Sequence, residues 1–129
     1  MFNDPLAAAL SKIFNAEKVG RQEVHIKPAS RLLQEVLGIM RDHRYIGSYE
    51  LIEESQGKQL KLQLLGNINR CGVVKPRFST KRTSYENWEK RYLPAKDFGI
   101  ILVSTPRGIM THVQAKQAGL GGKLLAYCY

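Results

Sequence analysis

The sequence predicts an α+β protein, a two-layer α/β arrangement split into two small subdomains. Three observations carry that prediction. Apolar residues recur at helical spacing over roughly the first forty positions, then alternate at period two, then run unbroken in "FGIILV", Phe98 to Val103. Charge is divided unevenly: residues 1–66 hold nine Lys/Arg and eight Asp/Glu, whereas residues 67–129 hold eleven and three, a net of +8. A boundary falls between them at Gly66 and the polar "NINRCG". The predicted subdomains are therefore 1–66, ordered α-β-α-β-β, and 67–129, rich in strands with short helices.

Asp4-Pro5 opens the first helix, a carboxylate at the cap and a proline in the first turn. Leu6, Leu10, Ile13 and Phe14 carry its apolar stripe to about Lys18, and Gly20 ends it. "QEVHI" then reads as a short strand stopped by Pro28-Ala29-Ser30, with Ser30 capping a second helix. Leu33, Val36, Leu37 and Met40 form the buried stripe of that helix, which finishes near His43. "SYELIEE" and "QLKLQLL" flank Ser55-Gln56-Gly57-Lys58 as a hairpin, with Leu60, Leu62 and Leu64 on the packed face.

In the second half, Arg70, Lys75, Arg77, Lys81, Arg82, Lys90, Arg91 and Lys96 interleave with Phe78, Tyr85, Trp88 and Tyr92. Ser84 is placed to cap a short helix through Arg91, and Pro94 bars its extension. Spacing of three and four residues sets Tyr85, Trp88 and Tyr92 on one helix face, as core. "FGIILV" reads as a strand buried on both faces, followed by a loop and a helix from Val113 to Ala118 capped by Thr111. Gly119 ends that helix, and "GLGG" turns the chain into "KLLAYCY", a terminal strand that must be paired.

Several function classes are excluded. No apolar run nears the ~20 residues of a membrane span, and "MFNDPLAAAL" lacks the basic start of a secretory signal. Cys71 and Cys128 make neither a metal spacing nor a disulfide framework, which points to a reducing, cytoplasmic setting. His25, His43 and His112 are scattered without ligand spacing, so neither a metal nor a cofactor is expected. "GLGG" lacks the lysine and strand of a phosphate loop. Ser104, Thr105, His112 and Asp97 include the residue types of a nucleophile triad, but no G-x-S-x-G elbow surrounds Ser104. No enzyme and no small-molecule substrate are expected.

Binding of nucleic acid is the class that the basic half favours. In "LVSTPRGIMTH", Ser104 and Thr105 offer hydroxyls to base edges, sugars and phosphates, and Arg107 adds a forked donor. Gly108 removes a side chain that would hold the backbone off. The amides at the Thr111 helix start favour an anion, and Gly121, Gly122 and Lys123 supply a second close approach.

The blocks "NDPLAAALSKIFNAEKVG", "VHIKPASRLL", "YIGSYELIEE", "GNINRCGVVKPRF" and "VSTPRGIMTHVQAKQAGLGGKLLAYCY" resemble the S-eight family of small-subunit ribosomal proteins. They look most like its archaeal and eukaryotic branch, the archaeal form in particular. The resemblance implies a structural ribosomal protein, a primary binder of the central domain of small-subunit RNA that aids subunit assembly beside neighbouring ribosomal proteins. It implies RNA contacts through the 67–129 domain at Ser104, Thr105, Arg107, Gly108 and Met110 and at Gly119, Gly121, Gly122 and Lys123. It adds Asp4, Pro5, Lys27, Ser30 and Arg31 from the amino-terminal domain. Where many members carry Ser or Thr after the Ser-Thr pair, this chain has Pro106, which removes a hydroxyl and an amide donor and stiffens the loop. A free translational regulator acting on messenger RNA shares this surface and stays open as an alternative.

Overall fold

The computed structural model describes residues 5–27, 30–55, 57–74, 77–95 and 98–129. The chain divides into two compact units, Met1–Arg70 and Cys71–Tyr129. Asp4, Pro28, Ala29, Gln56, Lys75, Lys96 and Asp97, all named in the sequence reading, lie outside the described residues.

In the first unit, helix α1 spans Pro5–Lys18 and buries Leu6, Ala9, Leu10, Ile13 and Ala16. Its exit is a left-handed glycine: Gly20 has φ of 76°, and the Gly20 and Arg21 amides donate back to Glu17 and Ala16. Strand β1 is Glu23–Ile26, helix α2 is Arg31–Asp42, β2 is Ile46–Glu54 and β3 is Gly57–Leu64. Ser30 caps α2 as expected, its hydroxyl accepting from the Leu33 amide at 3.1 Å. The strands form an antiparallel sheet in the order β1-β3-β2. Leu60 and Leu62 of the central strand are fully buried, as are Leu33, Val36, Leu37 and Met40 of α2. Each such side chain contributes roughly 1.5–3 kcal/mol of apolar burial.

The second unit is built on a five-stranded sheet. Strand β4 is Cys71–Val73, β5 Ser79–Thr80, β6 Ile100–Thr105, β7 Gly108–Thr111 and β8 Gly122–Cys128. The order is β4-β8-β6-β7, with β5 also on β8, and every pairing is antiparallel. The carboxy-terminal strand is therefore central, which explains why it is apolar and buried along Leu124, Leu125 and Ala126. Ile100, Ile101, Leu102 and Val103 are all at most 5% exposed, so β6 is covered on both faces. Helices α3, Tyr85–Tyr92, and α4, His112–Ala118, complete the unit. Tyr85, Leu93 and Ala115 join Val74, Ile101, Val103 and Leu124 in one core, with Trp88 and Tyr92 half-buried against it.

Three features differ from expectation. Strands β4, β5 and β7 were not read from sequence, because three, two and four residues are too few to display a period. Ser84 stands at the start of α3, but its side chain makes no capping bond. The segment after β6 is not an open loop: Thr105 pairs with Gly108, leaving only Pro106 and Arg107 as a two-residue hairpin turn.

Candidate nucleic-acid interface

The hairpin tip is held by Thr105. Its hydroxyl donates to the Gly108 carbonyl at 2.8 Å and accepts from the Arg107 amide at 3.2 Å, and the residue is only 8% exposed. The Thr105 hydroxyl is thus engaged in closing the turn. Gly108 lies at φ of 116° with open space where a Cβ would stand. It is needed for backbone conformation, and the space above it is clear. Met110 is half-buried, packed against the core. Ser104 and Arg107, by contrast, are exposed.

Sheet register assembles the rest. Ser104 pairs with Ile109 on one side and Lys123 on the other, and Lys123 pairs in turn with Ser79. Cross-strand partners share a face with Cβ atoms about 5 Å apart. The result is a row, Ser79–Lys123–Ser104–Ile109, in which the first three residues are exposed. One ammonium thus stands between two hydroxyls.

Gly121 and Gly122 have a packing role. A Cβ on Gly121 would stand 2.5 Å from the Thr80 carbonyl, and one on Gly122 would collide with the Ser104 carbonyl and lie 2.9 Å from Val103. The side chains are missing so that β5 and β6 can close on β8, and the approach they allow is from within the protein. Gly119 is the left-handed cap of α4, with the Leu120 amide donating to Ala115 at 2.9 Å. The Tyr85 hydroxyl donates to the Leu120 carbonyl at 2.7 Å and pins the turn before Lys123. Burial raises the Tyr85 pKa, which keeps that donor protonated.

The start of α4 is closed in part by its own side chains. Thr111 is 1% exposed and forms a capping box with Gln114, at 3.2 and 3.1 Å, so the Thr111 and Gln114 amides are partnered. His112 is buried with both ring nitrogens engaged. The Ile101 amide donates to Nδ1 at 3.1 Å, which leaves Nε2–H to face Glu89 Oε1 at 3.3 Å. Lys116 reaches the same carboxylate oxygen at 2.6 Å. This network ties α3 to α4 and β6, and it leaves His112 no free nitrogen with which to serve Ser104 as a base.

In the first unit, Pro5 and Lys27 are exposed, while the Ser30 hydroxyl caps α2. Arg31 has a 94% exposed side chain with Glu35 at 3.8 Å, a pair too solvated to hold it. Sequence reasoning missed Ser79 and left Lys81 and Arg82 without a place. The signal was present as "STKR" at 79–82, a near copy of "STPR" at 104–107.

Fold and site together define a class: a basic α+β protein of two units whose exposed row presents two hydroxyls and a cation, with its buried histidine committed to structure. A family model described as Ribosomal protein S8 matches residues 4–129, and the chain belongs to that family. It is a small-subunit ribosomal protein that binds ribosomal RNA, in a family of structural RNA-binding proteins and not of enzymes. Among the described residues no helix is long and apolar enough to cross a membrane.

Proposed function

We propose that this protein is a primary binder of the central domain of small-subunit ribosomal RNA and that it aids assembly of the subunit. The unit Cys71–Tyr129 makes the main contact, and the resemblance of the blocks quoted above supports the archaeal and eukaryotic side of the family. The observation that carries the reading is the exposed Ser104 beside Lys123, with Arg107 at the adjoining hairpin tip. A hydroxyl that both donates and accepts can read a base edge or a 2′-hydroxyl in a widened minor groove. The flanking cations meet phosphate. Pro5, Lys27 and Arg31 supply secondary contacts from the first unit.

A salt titration of binding to a bulged central-domain helix, beside a regular duplex of equal length, tests this. The bulged helix is expected to win by at least ~100-fold, in line with specific over non-specific recognition. Ser104→Ala is expected to narrow that gap about fivefold, the worth of one neutral hydrogen bond. Equal binding to both RNAs with steep salt dependence would leave only counterion release and overturn the reading. Sedimentation of the cellular protein away from small subunits would favour a messenger-bound regulator instead.

A further inference from the structure

Ser-Thr-x-Arg occurs twice in the basic half, at Ser79–Arg82 and Ser104–Arg107, and the fold sets the two copies on opposite flanks of β8. Ser79 and Ser104 are both register partners of Lys123. In each copy the serine is exposed, while the threonine is 8% exposed and gives its hydroxyl to a backbone carbonyl, Lys81 for Thr80 and Gly108 for Thr105. The two copies thus divide their hydroxyls in the same way, one outward and one inward.

The β5 copy is also firmly held. The Leu124 amide donates to the Phe78 carbonyl at 2.9 Å, and the Ser84 amide closes the following turn onto Lys81 at 3.0 Å. The Phe78 ring stacks on Trp88 with centroids 5.0 Å apart, and the Arg91 guanidinium lies 5.1 Å from Phe78 and 5.6 Å from Trp88. Lys81 and Arg82 project from this anchored segment, exposed, and neither has a carboxylate partner among the described residues. Two cations without a carboxylate partner on a held backbone lose little backbone entropy on meeting an anion.

We propose that Ser79, Lys81 and Arg82 form a second RNA-binding lip, facing the hairpin across Lys123 and holding the sugar-phosphate backbone on that side. Ser79 and Ser104 stand two strand spacings apart, about 10 Å, so one RNA strand laid over Lys123 meets both hydroxyls. Alternating hydroxyls and cations suit a sugar-phosphate chain, with the Arg82 fork on phosphate. The inference rests on the reading that the Ser104–Lys123 face meets RNA.

The test is a salt titration of wild type, Lys81→Gln/Arg82→Gln, Ser79→Ala and Arg107→Gln, each against the bulged helix and the regular duplex. Emission of Trp88, the only tryptophan, is followed throughout. The double variant is expected to bind about tenfold more weakly, with a log–log salt slope shallower by about 1.5, two lost phosphate contacts. Ser79→Ala is expected to narrow the bulged-over-regular gap by about fivefold. Trp88 emission should shift on saturation with the bulged helix. Wild-type affinity and slope in the double variant, while Arg107→Gln loses both, would overturn the second lip and leave the hairpin reading standing. Failure of wild type itself to prefer the bulged helix would remove the hairpin reading. Loss of binding to an acidic ribosomal protein, with RNA binding intact, would assign the lip to that partner and overturn its role on RNA.

Discussion

Ser79-Thr80-Lys81-Arg82 and Ser104-Thr105-Pro106-Arg107 differ at one position and share one partner strand, yet the chain leaves them in different ways. After Thr105, Pro106 and Gly108 fold the backbone straight back into β7, and the Thr105 hydroxyl bonds both sides of that turn. After Thr80 the chain moves through a wider turn into α3, and the Thr80 hydroxyl makes a single bond at 3.2 Å. The same tetrapeptide therefore ends a strand in a tight hairpin in one place and in a helix approach in the other. Whether a hydroxyl faces solvent or the turn follows from strand register, which alternates side chains between faces, and residue type does not decide it.

Gly122→Ala should break the hairpin copy, because the added methyl meets the Ser104 carbonyl and Val103 on β6. A loss of about 3 kcal/mol in a denaturant titration is expected, the upper part of the range for overpacking. RNA binding should fall with it. Unchanged stability would mean that β6 and β8 can part without cost.

Thr105→Val should separate the copies. It removes a donor and an acceptor from a nearly buried turn and is expected to destabilise by about 2 kcal/mol, against about 1 kcal/mol for Thr80→Val. Equal losses in thermal melts would show that the two threonines are equivalent after all. Ser104→Ala should leave melting unchanged while weakening RNA discrimination.

Tyr85→Phe probes the turn that delivers Lys123 to both copies. Loss of its bond to Leu120 is expected to cost about 1 kcal/mol. The pH dependence has a definite sign. Burial raises the Tyr85 pKa above its ordinary value of 10.0 in the folded protein. Its contribution is then fully present below pH 10.0 and is lost as pH rises through the folded value. Wild type should thus lose stability in alkaline solution more steeply than Tyr85→Phe, and parallel pH curves would contradict this.

The smallest effect is expected from Pro106→Lys, which makes the hairpin copy identical to the β5 copy. Releasing the fixed φ should cost about 0.5–1 kcal/mol through the unfolded state. The added cation should steepen the salt slope for RNA by about 0.9.

The first unit was legible in detail because its elements are long enough to show a period and carry local stop signals. Ser30 and Gly20 cap helices by bonds within a few residues, so their roles can be read from neighbouring letters. In the second unit β6 was legible as an unbroken apolar run, and Gly119 as a helix stop. The packing roles of Thr105, Met110, Gly121 and Gly122 were not legible for one reason: each is set by residues on another strand or in the core. Gly121 and Gly122 resemble a ligand-approach motif, and only the carbonyls of Thr80 and Ser104 beside them reveal a packing role.

By itself the sequence determined the α+β class, the basic second half, the helices with their caps, and the family. Periodicity, composition and motif order are properties of the chain alone. Only tertiary structure decided that Lys123 lies between Ser79 and Ser104, that Thr105 turns inward, and that His112 is shared by Ile101 and Glu89. Those facts depend on non-local strand register and helix packing, which bring together residues up to forty-four positions apart.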